Sequence, residues 1–179
     1  EPIRYSATVP NDAVQKLEAR LRAGEVRFAG SDAEIVRALL GALDIPAESQ
    51  TLVFSKTSFQ RDRITPKRPR ALYFSDDVYV GWVPGGLVEV ACIDPQLGPV
   101  FYRFDPSDEP APAAPRFVRD EECLSCHGGQ FVRGIPGLFV RSLHVDDQGE
   151  PLLRFGSVVV DERTPFAERW GGWYVTGTH

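Results

Sequence analysis

Leu87-Val88-Glu89-Val90-Ala91-Cys92-Ile93 is the stretch that decides the architecture. Its apolar residues recur with a period of two, so Val88, Val90 and Cys92 share one face of a strand. Segments 51–55, 71–74, 78–83 and 100–104 have the same β-branched and aromatic character. Turn formers such as Ser75-Asp76-Asp77 and Pro84-Gly85-Gly86 separate them. Connections this short predict an antiparallel meander over 51–104. Cys92, on the apolar face, reads as a buried, inert thiol.

Upstream, residues 1–50 read as a helical segment. Asn11 or Asp12 can cap a helix carrying Val14, Leu17 and Leu21 on one face, with Gly24 as its stop. A second helix is expected from Ser31-Asp32, with Ile35, Val36, Leu39, Leu40 and Leu43 facing inward and an end before Pro46. Both stripes read as core packing. Downstream, 105–116 is a proline-rich linker. Residues 117–179 form the last region, in which 138–145 and 152–160 flank Asp146-Asp147-Gln148-Gly149-Glu150-Pro151 as a hairpin. Residues 165–170 suit a helical turn. The fold class expected is α+β, with helices first, then an antiparallel meander.

Cys123-Leu124-Ser125-Cys126-His127 carries the chemistry. Cys-x-x-Cys-His is the attachment sequence of a c-type haem: two thiols on one helical turn add to the porphyrin vinyl groups, and the adjacent imidazole reaches the iron. The competing zinc reading needs two further ligands from Cys92, His127, His144 or His179, and no second Cys-x-x-Cys completes it. A bare redox dithiol is the third reading. Asp120, Glu121 and Glu122 suit a first helical turn. Gly128 and Gly129 are expected to end the helix and to let backbone approach a flat ring.

The chain has 179 residues, no methionine, three histidines and a net charge of −5. A sixth iron ligand from methionine is therefore excluded within this polypeptide. His144, His179, water, a small molecule, lysine or tyrosine remain, and an imidazole or an open site implies a lower potential than His/Met coordination. The negative balance argues against nucleic acid as a partner, and no run is long enough to span a membrane. Haem c attachment implies export, hence a periplasmic or otherwise extracytoplasmic location in a bacterium. Loop 61–70 sets Arg61, Arg63, Lys67, Arg68 and Arg70 against Asp62 alone. It reads as a solvated loop, as a docking site for a redox partner protein, or as a partner of the haem propionates. Phe131, Phe139, Trp170, Trp173 and Tyr174 are candidate walls of the haem site or ordinary core aromatics.

The pentapeptide makes the chain resemble c-type cytochromes. Together with Phe54-Ser55-Lys56-Thr57-Ser58-Phe59-Gln60-Arg61, Asp94-Pro95-Gln96-Leu97-Gly98-Pro99-Val100-Phe101-Tyr102 and Gly171-Gly172-Trp173-Tyr174-Val175-Thr176-Gly177-Thr178-His179, it is similar to an exported bacterial cytochrome-c-domain family often found within longer proteins. The resemblance implies a haem protein and places a histidine in the last motif, so His179 is preferred to His144 as distal ligand. The pentapeptide lies between two β-rich blocks, so a PAS-like or other mixed scaffold is expected rather than the small all-helical cytochrome c fold. Extracytoplasmic electron transfer by one covalent haem is the leading functional expectation. A haem-based gas or redox sensor is the alternative. No convincing distal acid/base pair supports a peroxidase.

Overall fold

In the computed structural model, which describes residues 3–108 and 116–175, Asp12 opens helix α1 (Ala13–Arg22) by accepting the Gln15 backbone N–H at 2.9 Å. That satisfies one of the N–H groups left unpaired at a helix start. The helix ends just before Gly24, whose φ of +73° is left-handed geometry that glycine enters without a Cβ clash. Helix α2 (Asp32–Ala42) begins where the Glu34 carboxylate accepts the backbone N–H of Ser31 at 2.8 Å and its hydroxyl at 2.7 Å.

The following chain forms β1 (Thr51–Val53), β2 (Arg70–Phe74), β3 (Val78–Trp82), β4 (Val88–Asp94), β5 (Gly98–Phe104) and β6 (Val118–Arg119). These pair antiparallel in sequence order, and β9 (Trp173–Val175) joins the sheet beside β1. A separate antiparallel ribbon pairs β7 (Val140–Leu143) with β8 (Ser157–Val160), Val140 opposite Val160. A short helix, α3 (Leu124–His127), lies between β6 and β7. The result is mixed helix and antiparallel sheet, mostly β, with the expected meander at its centre.

Alternation assigns the two faces of the sheet. Val78, Val80, Val88, Val90, Cys92, Val100, Tyr102 and Phe104 point toward α1 and α2 and meet Val14, Leu17, Ile35, Val36 and Leu39 in one core. Each aliphatic chain buried there contributes about 1.5–3 kcal/mol. The helical segment and the β region thus share their interior. Two carboxylates tie that interior together: Asp12 accepts the Tyr102 hydroxyl at 2.6 Å, and buried Glu18 accepts the Phe117 N–H at 2.6 Å. Glu18 thereby returns the chain to the sheet edge where β6 begins.

The C-terminal region differs from expectation in two places. The turn at Asp146 forms, closed by a bridge between Val145 and Pro151, yet residues Leu153–Phe155 make a 3-10 turn instead of a strand. Proline cannot donate to a ladder, and Gly156 at φ +98° resets the chain before β8. The second difference is β9, whose glycine-rich approach conceals a strand of only three residues. The helical turn expected over 165–170 is present at Phe166–Glu168. Most of the proline-rich linker, 109–115, lies outside the described residues.

Candidate functional site

Register carries the chain from the sheet into the pentapeptide. Arg119 pairs with Tyr102 across β5 and β6, and the Asp120 N–H donates to Phe101 O at 3.0 Å. Asp120 then caps a 3-10 turn, Glu121–Cys123, by accepting the Glu122 N–H at 3.0 Å. That turn runs directly into α3, and Gly128 closes it with an N–H to Leu124 O bond of 2.8 Å. A Cβ at Gly128 would lie 2.9 Å from Leu124 O, and one at Gly129 would lie 3.1 Å from Ser125 O. What glycine clears at these two positions is the backbone of the turn itself.

His127 packs its imidazole on two phenyl rings, 4.7 Å from Phe101 and 5.0 Å from Phe139, centroid to centroid. Its Nδ1 lies 2.9 Å from Gly137 O. A carbonyl only accepts, so Nδ1 carries the proton and, in the neutral ring, Nε2 keeps its lone pair. Burial holds the His127 pKa below its ordinary value, the Gly137 bond opposes this, Arg70 lowers it further and Glu89 raises it. At neutral pH the ring is therefore uncharged. Among the described residues Nε2 has no hydrogen-bond partner, which leaves it available as a metal ligand.

Cys123 and Cys126 are both free thiols, the first half-buried and the second exposed. Burial, reinforced by Asp120 and Glu89 and opposed by Arg103, pushes the Cys123 thiol up to about 11. It stays protonated at neutral pH. Cys92 is also free but 1% exposed within the core, as its strand position implied.

Charge gathers on this same side of the sheet. Arg70 and Glu89 pair at 2.8 Å, and Arg103 pairs with Asp120 at 3.1 Å and with Glu122 at 3.9 Å. Phe139 continues to Phe131, 5.4 Å away and partly exposed, over which Arg141 stacks at 4.6 Å. An aromatic chain thus runs from buried Phe101 through His127 to the surface.

Other candidate residues lie apart. His144 is exposed, stacks on Trp170 at 4.8 Å and meets Phe155 edge-on at 5.9 Å. Among the described residues, no ring contact joins any of these to His127. Tyr174 packs on Phe54 at 4.4 Å. Trp173 lies opposite Val53 in the register and so faces the same side of the sheet as Arg70. His179 lies outside the described residues. Phe101 escaped the sequence reading; its parity in β5, opposite to buried Val100 and Tyr102, was the available signal.

Among the described residues no three Cys, His, Asp or Glu side chains cluster as a metal-holding group. The zinc reading thus lacks an assembled ligand set there. In the basic loop, Arg61 pairs with Glu150 at 2.8 Å, Arg68 donates to Pro84 O, and Arg70 is held by Glu89. Arg63 and Lys67 make no ion pair among the described residues, where no helix is long and apolar enough to cross a membrane. Comparison with protein-family models, curated proteins and solved structures found no match for this chain.

Proposed function

We propose that this chain is a mono-haem c-type cytochrome, with Cys123 and Cys126 in thioether linkage, His127 as proximal ligand, and extracytoplasmic electron transfer as its role. The single observation that carries the reading is the state of His127: a neutral imidazole, Nδ1–H fixed on Gly137 O, Nε2 free, one residue after an unpaired thiol on the same turn. That donor set fits. A porphyrin would bring nitrogen donors of its own, so this chain would need to supply only the two thiols and imidazole nitrogen such as that of His127.

When bound, the haem supplies a one-electron iron couple. The residues of this chain do the rest. Cys123 and Cys126 would hold the haem covalently, each thiol adding as S–H across a vinyl group, sulfur to one carbon and hydrogen to the other, with no net oxidation. Gly137 O fixes the plane and tautomer of the His127 ring, while Phe101 and Phe139 exclude water from its faces. His179 is the preferred distal ligand and His144 the alternative; either imidazole sets a lower potential than a methionine. Arg63 and Lys67 supply the free charge of the loop for a redox partner protein.

The test is expression in a host competent for cytochrome maturation. Haem retained on denaturing electrophoresis, with low-spin bis-imidazole spectra in both oxidation states that carbon monoxide leaves unchanged, is the expected result. A high-spin spectrum with rapid gas binding would turn the role to sensing. A colourless protein with the mass of the bare polypeptide would overturn the haem reading.

A further inference from the structure

Gly81 occupies the middle of β3, a central strand, opposite Leu72 on one side and Glu89 on the other. Glycine weakens a strand interior unless another group must pass close. Here the passing group is the Arg70 guanidinium, which crosses from β2 over β3 to β4; a Cβ at Gly81 would overlap its Nη2 and Cζ. Nη2 ends 2.8 Å from Glu89 Oε2, with the two side chains only 18% and 17% exposed. The contact is in ion-pair range but not aligned as a hydrogen bond, and buried Arg70 Nε has no partner among the described residues.

The pair lies beside the proposed iron ligand. Glu89 and Arg103 form one cross-strand pair, and Ala91 and Phe101 form the next on the same face. Phe101 is the ring on which His127 rests. Neighbouring same-face pairs are about 7 Å apart, which brings Glu89, and the Arg70 guanidinium paired with it, close enough for the fields of both charges to reach His127.

We propose that the Arg70–Glu89 pair sets the reduction potential of the centre on His127, as two opposed fixed charges that nearly cancel. This rests on the haem reading. A ferric centre carries one more positive charge than a ferrous one, so a nearby carboxylate favours the oxidised form and a guanidinium favours the reduced form. Keeping both charges, close and opposed, holds the potential between the two extremes. Both are positioning residues, acting on the centre through their field without touching it.

The experiment is a mediated spectroelectrochemical titration of the intact holoprotein and three variants, in which the iron takes one electron from the electrode. Glu89→Gln raises the midpoint potential, Arg70→Gln lowers it, and the double variant returns close to the wild-type value. A purely structural role gives shifts of one sign, or none, and either result overturns the proposal. Should the single variants fail to fold with one buried charge unpaired, the double variant and Arg70→Lys decide, since both are expected to stay near wild type and a large shift in either refutes the assignment. A wild-type protein without haem is a different failure: it removes the reading beneath the inference, whereas haem-loaded Glu89→Gln and Arg70→Gln single variants with unmoved potentials remove the inference alone.

Discussion

Asp94 and Glu89, carboxylates on opposite faces of the central sheet, are held in opposite ways. Toward α1 and α2, Asp94 accepts N–H groups from Asn11 at 2.6 Å and from Gln96 and Leu97 at 2.8 Å. On that side Asp12 takes the Gln15 N–H and the Tyr102 hydroxyl, and Glu18 takes Phe117. Each carboxylate is spent on holding the chain in place. Toward the pentapeptide, Arg70 and Glu89 face one another with imperfect alignment and an unpartnered Nε. Saturated carboxylates fix a fold; a buried, unsaturated pair costs stability, and in the proposed role that cost falls on the side of the haem.

Replacing both attachment thiols, Cys123→Ser with Cys126→Ser, should separate the faces most completely. Covalent haem is lost altogether on denaturing electrophoresis, while circular dichroism still reports the helix-covered side. Retained covalent haem would end the attachment assignment. Leu39→Ala acts on the other face: Leu39 is fully buried between helix and sheet, and the expected cost is about 2–5 kcal/mol by denaturant unfolding, with the visible spectrum of the folded fraction unchanged.

A smaller effect is expected at Asp94. Burial pushes this carboxyl up, but the N–H groups of Asn11, Leu97 and Gln96 outweigh burial and leave it below the ordinary aspartate value. A lowered folded value means stability that is present above the unfolded pKa and lost as pH falls through the folded one. Asp94→Asn should therefore cost about 1–3 kcal/mol at neutral pH and flatten the acid limb of the stability curve below the usual aspartate range. An unchanged acid limb would show that the helix side is not held by this carboxylate. The least disturbance comes from Phe131→Ala, at the partly exposed end of the aromatic chain: stability falls by about 1 kcal/mol or less, and partner electron exchange slows in stopped flow without a change in spectrum.

Strands whose side chains alternate were legible in the sequence. Segments 71–74, 78–83, 87–93 and 100–104 emerge as β2 to β5 with small boundary shifts, because one dry face enforces period two. The helix starts were legible too, the first as a cap at Asn11 or Asp12 and the second at Ser31-Asp32, because each is a local bond between a side chain and nearby backbone; the structure selects Asp12. β6 and β9 were not: two or three residues cannot display a period, and both are edge strands specified by a partner distant in sequence. In the site, the pentapeptide names its own chemistry, but its surroundings depend on tertiary register. Phe101 packs on His127, with Glu89 one cross-strand pair away, only because β4 and β5 pair as they do. Gly81, in the middle of a strand pattern, was the one local sign that something had to cross there.

The pentapeptide is clamped at both ends: Asp120 N–H to Phe101 O at 3.0 Å before it, Gly137 N–H to His127 O at 2.8 Å after it. Backbone anchored on a sheet on one side and on a tight loop on the other has little room to rearrange when the charge beside it changes. In the proposed role this means a low reorganisation energy, so the protein's contribution to rapid electron exchange is largely that its ligand stays still.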